Sequence, residues 1–255
     1  MTLSIAADNL EPLKPVVAQA LETLDPQPLQ ELARRLEQAG ANLIDINPGY
    51  LPARRHDRMA FMVEAVQQVT GVRLILDSPS APVLARGLAV ANKPPILNAC
   101  TLEVDKLQEI LPLAATHRTE LVLLLLDAHS RPAPTQEGKI TLALELREQA
   151  LAAGLTDAQL IFDPVLPNLS WPDAWQQAGE VVKTVRLLAG GQIWEKPART
   201  MVGLSNLRSG LRETYPVRVE EAVLGLLAGA GLEIALVDVR QPGLMETVRV
   251  INQVG

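Results

Sequence analysis

Sulfur, aromatic rings and basic charge are all scarce in this chain. Of its 255 residues one is cysteine and three are histidine, which leaves no internal disulfide and no zinc-ligand pattern. Aromatics contribute 3% against 48% hydrophobic and 20% charged residues, the balance of one sizeable soluble domain or at most two small ones, not of a disordered or collagen-like chain. The 23 basic residues are outnumbered by 29 acidic ones, and a net charge of -6 gives no electrostatic reason to expect a nucleic-acid or anionic-membrane surface. Long apolar runs are missing too. The longest, Val223 to Leu232, is about half of the roughly 20 residues that span a bilayer, and the amino terminus has no basic segment before an apolar core. A reducing cytoplasm, with small molecules or proteins as partners, fits these absences.

What is present is alternation. Short β-branched or leucine-rich runs, at Leu3–Ala6, Asn42–Ile46, Val72–Leu76, Pro95–Leu97, Glu120–Leu126, Gln159–Phe162, Thr200–Leu204 and Glu233–Val237, are separated by longer helical patterns. Most runs are apolar throughout, as parallel strands covered on both faces are. In the segment from Pro28 to Leu36 the leucines at 29, 32 and 36 recur at helical spacing and predict a face docked on the sheet. Gly40, Gly71, Gly154 and Gly231 stand where helices should stop. Eight repeats of about 32 residues predict a (β/α)8 TIM barrel of class α/β. No dinucleotide-binding glycine motif follows the first run, and no linker or composition break divides residues 1–255, which are read as a single domain.

A parallel barrel carries its chemistry at the carboxyl ends of its strands, where acids and amides recur: Asp45 and Asn47, Asp77, Asn98, Asp127, Asp163, Asn206 and Asp238. Any one of them could be only a turn or cap residue. Together, without a matching set of cations, they predict a mouth for a neutral or cationic ligand rich in N–H donors and disfavour phosphate. The three histidines, His56, His117 and His129, form no H-x-x-x-H or H-E-x-x-H pairing, and Asp127 with His129 lacks further ligands, so no protein-bound metal is expected. Cys100 has no basic activator nearby and reads as a small buried side chain. Trp171 and Trp175 either cover apolar area or rim a partner site.

The motifs Asp45-Ile46-Asn47-Pro48-Gly49, Leu76-Asp77-Ser78, Ile96-Leu97-Asn98, Phe162-Asp163-Pro164 and Val202-Gly203-Leu204-Ser205-Asn206, in this order over nearly the whole chain, resemble the pterin-binding family. Within it they look most like the methyltetrahydrofolate:corrinoid/iron–sulfur protein methyltransferases and related enzymes of corrinoid-dependent demethylation. The resemblance implies a dihydropteroate-synthase-like barrel, usually a homodimer, that takes methyltetrahydrofolate or tetrahydrofolate as substrate. It further implies exchange of the N5 methyl group with Co(I) of cobalamin carried by a separate corrinoid protein. By the same resemblance Asp77, Asn98 and Asp163 hold the pterin, Asn206 reaches N5, and Asp45 and Asn47 belong to the binding motif. Two departures stand out: Ser4 to Leu10 replaces the Gly-Glu-Arg-Ile-Asn segment common near the first strand, and Ser209 replaces a glutamine three positions after the asparagine.

The chemistry supports those roles. A reduced pterin shows a paired N–H edge that a carboxylate accepts at both oxygens, while an amide donates and accepts at once. An N5 that is protonated or hydrogen-bonded is a better leaving group, and Asn206 can donate that bond although it cannot be the proton's source. A nucleophile supplied by the partner is consistent with the want of an activated Ser, Cys or His. Dihydropteroate synthase shares the pterin-binding acids, but it must hold a departing pyrophosphate and typically carries Ser-Arg-Lys and Arg-x-His after its last two strands. Here Leu204-Ser205-Asn206 and Asp238-Val239-Arg240 stand instead. A non-catalytic folate-binding or corrinoid-docking module, or a barrel acting on another amine-rich heterocycle, are the remaining readings.

Overall fold

The computed structural model describes residues 2–194, 196–211 and 213–254. Strands β1 (Ser4–Leu10), β2 (Leu43–Ile46), β3 (Arg73–Asp77), β4 (Ile96–Cys100), β5 (Glu120–Leu124), β6 (Leu160–Asp163), β7 (Arg199–Gly203) and β8 (Ile234–Val237) pair in parallel in sequence order. β8 pairs with β1 and closes the barrel. Helices α1 (Pro15–Thr23) and α2 (Gln27–Gln38) share the first crossover, and α3 (Asp57–Gln67), α4 (Ala81–Val90), α5 (Val104–His117), α6 (Gln136–Ala152), α7 (Ala174–Ala189), α8 (Arg218–Gly229) and α9 (Pro242–Val254) follow one per strand. The expected (β/α)8 barrel is therefore the fold. On α2 the predicted stripe, Leu29, Leu32 and Leu36, is buried against the barrel wall with Ala33.

Two strands differ from their sequence reading. β1 runs on to Leu10, past the polar pair Asp8-Asn9 that interrupts the apolar run, whereas β5 stops at Leu124, two residues before its apolar run ends. Of the four predicted glycine stops, Gly40, Gly154 and Gly231 adopt the positive φ of a left-handed cap, with values of 101°, 95° and 98°.

Side chains alternate in and out along each strand, so the barrel interior is built in layers. The middle layer is apolar: Ala6, Leu43, Ile75, Ile96, Val122, Ile161, Met201 and Ile234 form one buried cluster. Two residues toward the amino end, Arg73, Glu120 and Arg199 form an ionic floor with Glu233. Glu120 bridges Arg73 at 3.0 Å and Arg199 at 2.9 Å, and Glu233 lies 2.7 Å from Arg199. Two residues toward the carboxyl end the same eight positions read Asp8, Asp45, Asp77, Asn98, Leu124, Asp163, Gly203 and Leu236. The strand period alone thus gathers four carboxyl groups and an amide above the apolar plug.

Candidate functional site

Register brings these groups side by side. Asp77 pairs with Asn98 across β3 and β4, and Asp45 lies beside Ile75 on β3, two residues before Asp77. Asp45 and Asp163 are each 4% exposed, and Asn98 is buried as well. Asn47, on the next tier, donates through Nδ2 to Asp77 Oδ2 at 2.9 Å while its own Oδ1 accepts from the Gly49 N–H at 2.8 Å. Asp77 is thereby aimed by a side chain that the turn after β2 holds in place.

Among the described residues no lysine or arginine forms an ion pair with Asp45, Asp77 or Asp163, and burial dominates their electrostatics. Removal from water pushes Asp77 up to about 7, against the hydrogen bond from Asn47. Asp163 is likewise raised to about 7 by burial, opposed by the N–H groups of Val165 and Gly203 and by the charge of Lys139. Asp45 is pushed well above the usual carboxylate range by burial and by the neighbouring charges of Asp77, Asp8 and Glu11. Its Oδ1 is buried without a hydrogen-bond partner. A buried polar atom without a partner is costly.

Asp8 is a member of this layer that the sequence reading missed. It is raised to about 6, mainly by burial, and it accepts a hydrogen bond from Ser205. The next residue, Asn9, is buried and donates to Asp238 Oδ1 at 2.6 Å, which ties the end of β1 to the end of β8. The signal available in sequence was parity: Asp8 lies two residues beyond Ala6, as Asp77 lies two beyond Ile75.

Asn206 reaches the mouth by another route, in a 3-10 turn over Leu204–Arg208 that follows β7. One side chain stitches this turn to the loop after β6: Asn168 Nδ2 donates to the carbonyls of Asn206, at 3.1 Å, and Ser209, at 2.9 Å. From below, the buried pair of Arg208 and Glu220 anchors it, with Arg208 Nη1 donating to the Tyr215 carbonyl at 2.7 Å. The Asn206 amide folds back over Gly203, where a Cβ would lie 3.2 Å from Nδ2. Glycine at the end of β7 leaves room for that amide. The side chain of Asn206 is otherwise exposed.

Asp127 does not join the ring. It lies three residues past the end of β5 in a loop, where its carboxylate accepts from the N–H groups of His129 and Arg131 at 2.8 and 2.9 Å and pairs with the Arg131 guanidinium at 3.1 Å. The apolar residues Leu125 and Leu126 had extended the apparent strand, and the turn alternative is the correct one here. Asp238 does stand at the end of β8, a tier above the layer, held by Asn9 and by Arg240 at 3.3 Å, and these bonds lower its carboxyl. Cys100 is buried and its thiol is pushed up to about 12 by desolvation, so it stays protonated. Trp175, 56% exposed, lies on an apolar groove between α7 and α8 with Val182, Val219 and Leu226.

The loops after β2, β3 and β4 enclose a cavity of about 590 Å³ beside the ring, lined in part by Tyr50, His56, Ser78, Glu103 and Lys106. Its one lysine is already 2.7 Å from Glu103. A second hollow of about 510 Å³, by the amino ends of β6 and β7, is lined by Arg147, Asp157, Phe162 and Trp194 and lies on the other side of the apolar plug. The first comes up to the ring at Ser78, the residue after Asp77.

Several known proteins are similar to this chain. Residues 16–238 match the family model described as pterin binding enzyme. A methylcorrinoid:tetrahydrofolate methyltransferase of Eubacterium limosum is 30% identical over 168 residues, which cover 65% of this chain and 62% of that protein. The methionine synthase of Mycobacterium leprae (strain TN) is 22% identical over 227 residues, 87% of this chain and 19% of that one. The matched region is thus less than two thirds of either relative's length. Among solved structures, a dihydropteroate synthase of Coxiella burnetii in complex with pteroic acid superposes with a TM-score of 0.75 at 14% identity, covering 99% of this chain and 93% of that one. At that identity the likeness is one of fold.

Proposed function

The chain belongs to the pterin-binding enzyme family, and we propose that within it this protein moves a methyl group between N5 of methyltetrahydrofolate and Co(I) of a corrinoid carried by a separate protein. The observation that carries the reading is the layer of buried Asp45, Asn98 and Asp163 with half-buried Asp77, rich in acceptors and free of ion-paired cations among the described residues. Such a layer suits a flat heterocycle whose edge is lined with N–H groups.

In this reading Asp77 and Asp163 accept the pterin's N–H groups as carboxylates, and Asn98 donates and accepts between them. Asn47 keeps Asp77 aimed, and Asp45, pushed toward its neutral form by burial and by its acidic neighbours, underlies the layer. Asn206 donates to N5, a bond that strengthens as the methyl departs and negative charge grows on nitrogen. The amide does not ionise, so the proton that N5 takes up comes from solvent or through the hydrogen-bonded roof, where Asp8 gives the Ser205–Asn206 turn a titratable carboxyl. The corrinoid, when its carrier protein docks, supplies the cobalt nucleophile. That division of labour is in keeping with a site whose one cysteine is buried and protonated.

A reaction that expels pyrophosphate needs cations at this mouth, yet Arg240 is bound to Asp238 and Arg208 to Glu220. This counts against a dihydropteroate synthase. We further take the protein to act in the cytoplasm as a homodimer, and the groove at Trp175 offers apolar area for a second copy. The test is transfer from methyltetrahydrofolate to free Co(I) cobalamin, followed by its visible spectrum. Methylcobalamin formation above the protein-free control is the expected result, and folate binding without turnover, even with a corrinoid protein added, would leave a non-catalytic module.

A further inference from the structure

A lysine sits inside the apolar stripe of a helix. On α6 the residues facing the barrel wall are Lys139, Leu142, Ala143, Leu146 and Ala150, and Lys139 is 1% exposed. A fully buried ammonium is rare and persists only where fixed partners replace water. Nζ donates to the carbonyl of Pro164 at 2.7 Å, in the residue directly after Asp163. The charged groups that face it are Asp163, from β6, and Glu180, from α7. Glu180 is engaged elsewhere, 2.7 Å from Lys183 and accepting from the Gln136 N–H at 2.9 Å. Facing Asp163 are Lys139 and the N–H groups of Val165 and Gly203, and Val165 donates to its Oδ1 at 2.8 Å. The ammonium therefore stands behind the strand end, on the helix side of the wall, while the carboxyl is presented to the mouth.

We propose that Lys139 is a positioning residue for Asp163: from outside the barrel wall its ammonium pins the Pro164 carbonyl and favours the anionic form of the Asp163 carboxyl, the form that can accept two N–H groups from a pterin. The proposal rests on the pterin reading of the mouth for its purpose but not for its electrostatics. Burial drives the two groups toward neutrality from opposite sides, Asp163 up to about 7 and Lys139 down to about 8, and each opposes the other's shift. Losing the cation removes the one full positive charge among the described residues that favours the carboxylate. The sequence signal is a lysine at a core-facing position one helical turn before Leu142 and Ala143.

The test is a pH titration of aspartate carboxyl carbons by NMR in the intact protein, with Asp163 assigned through Asp163→Asn. Lys139→Gln keeps a donor for Pro164 without the charge, and Lys139→Met removes both. We expect the Asp163 midpoint to rise by about one pH unit or more in either variant. If Lys139→Met does not fold, Lys139→Gln decides alone. A midpoint that stays within a few tenths of a unit in Lys139→Gln overturns the proposal, as does a rise confined to Lys139→Met, which would reduce the lysine to a hydrogen-bond strut.

Calorimetry with tetrahydrofolate supplies a second readout. Affinity at pH 7 should fall about tenfold in Lys139→Gln and recover by about pH 8.5, where Asp163 ionises again, while the same change made in Asp163→Asn should do nothing further. Loss of affinity in Lys139→Gln that persists at pH 8.5 contradicts the proposal. A shifted midpoint in a protein that binds no tetrahydrofolate would sustain the electrostatic pairing and sink the pterin reading instead.

Discussion

The two ends of the barrel interior hold similar side chains in opposite arrangements. At the amino end Arg73, Glu120, Arg199 and Glu233 alternate in sign and neutralise one another within 3.0 Å. At the carboxyl end Asp45 is crowded by Asp77 and Asp8, and Asp163 stands in the same layer with Lys139 behind the wall, while Lys14 lies at the margin of Asp8. The apolar layer between them has the same parity in every strand, so the difference lies in the chemistry of each end and not in its geometry. An end that satisfies itself is structural. An end that holds buried acids short of donors is stable only to the extent that burial keeps some of them protonated, and it gains when a ligand brings N–H groups.

The largest expected effect separates these ends by binding. Asp163→Ala or Asp77→Ala removes an acceptor of the layer and should weaken methyltetrahydrofolate binding by about 100-fold or more in calorimetry. Arg199→Ala at the opposite end should leave that affinity within about threefold while lowering stability by about 1–3 kcal/mol in urea unfolding, since Glu120 and Glu233 lose their shared partner. Loss of binding in Arg199→Ala would erase the distinction.

Asn206→Ala sharpens the comparison inside the mouth, between strand-borne and turn-borne groups. Single-turnover methyl transfer should slow by about tenfold or more while pterin affinity changes little, because its bond to N5 strengthens in the transition state. Equal losses in affinity with an unchanged transfer rate would contradict that role.

A smaller effect concerns pH. Asp77 has its carboxyl raised from 3.8 to about 7, so between those values the folded protein holds a proton that the unfolded chain has released. Stability must then fall as pH rises through that window. Urea unfolding should show the protein about 1–2 kcal/mol less stable at pH 8 than at pH 5, and Asp77→Asn should recover part of that loss at pH 8 while weakening pterin binding. A flat pH profile in the parent protein would mean that the acids are not desolvated as described.

Much of this was legible in the sequence because parallel strands buried on both faces are written as apolar runs, and all eight runs became strands. The floor of the site, Asp45, Asp77, Asn98 and Asp163, followed from reading the first polar residue at each strand end. Asp8 escaped because β1 carries its polar residues inside the strand, so the apolar run stops before the pairing does. Asp127 was drawn in by the reverse error, since Leu125 and Leu126 continue the apolar run after β5 has ended. Local pattern could not show how the turn that carries Asn206 is held, since its backbone is tied by Asn168, 38 residues earlier, and by the buried Arg208–Glu220 pair. Lys139 was hidden for a third reason. A lysine in a helix reads as solvent-facing until the stripe around it is known.

The most direct measurement is titration of the protein with methyltetrahydrofolate by calorimetry at pH 6 and pH 8, in buffers of different ionisation enthalpy. The account predicts tighter binding at pH 8 and release of protons on binding near pH 6, as Asp77 and Asp163 become carboxylates to accept the pterin's N–H groups. No binding at either pH, or binding that releases no proton and is indifferent to Asp163→Ala, would contradict it.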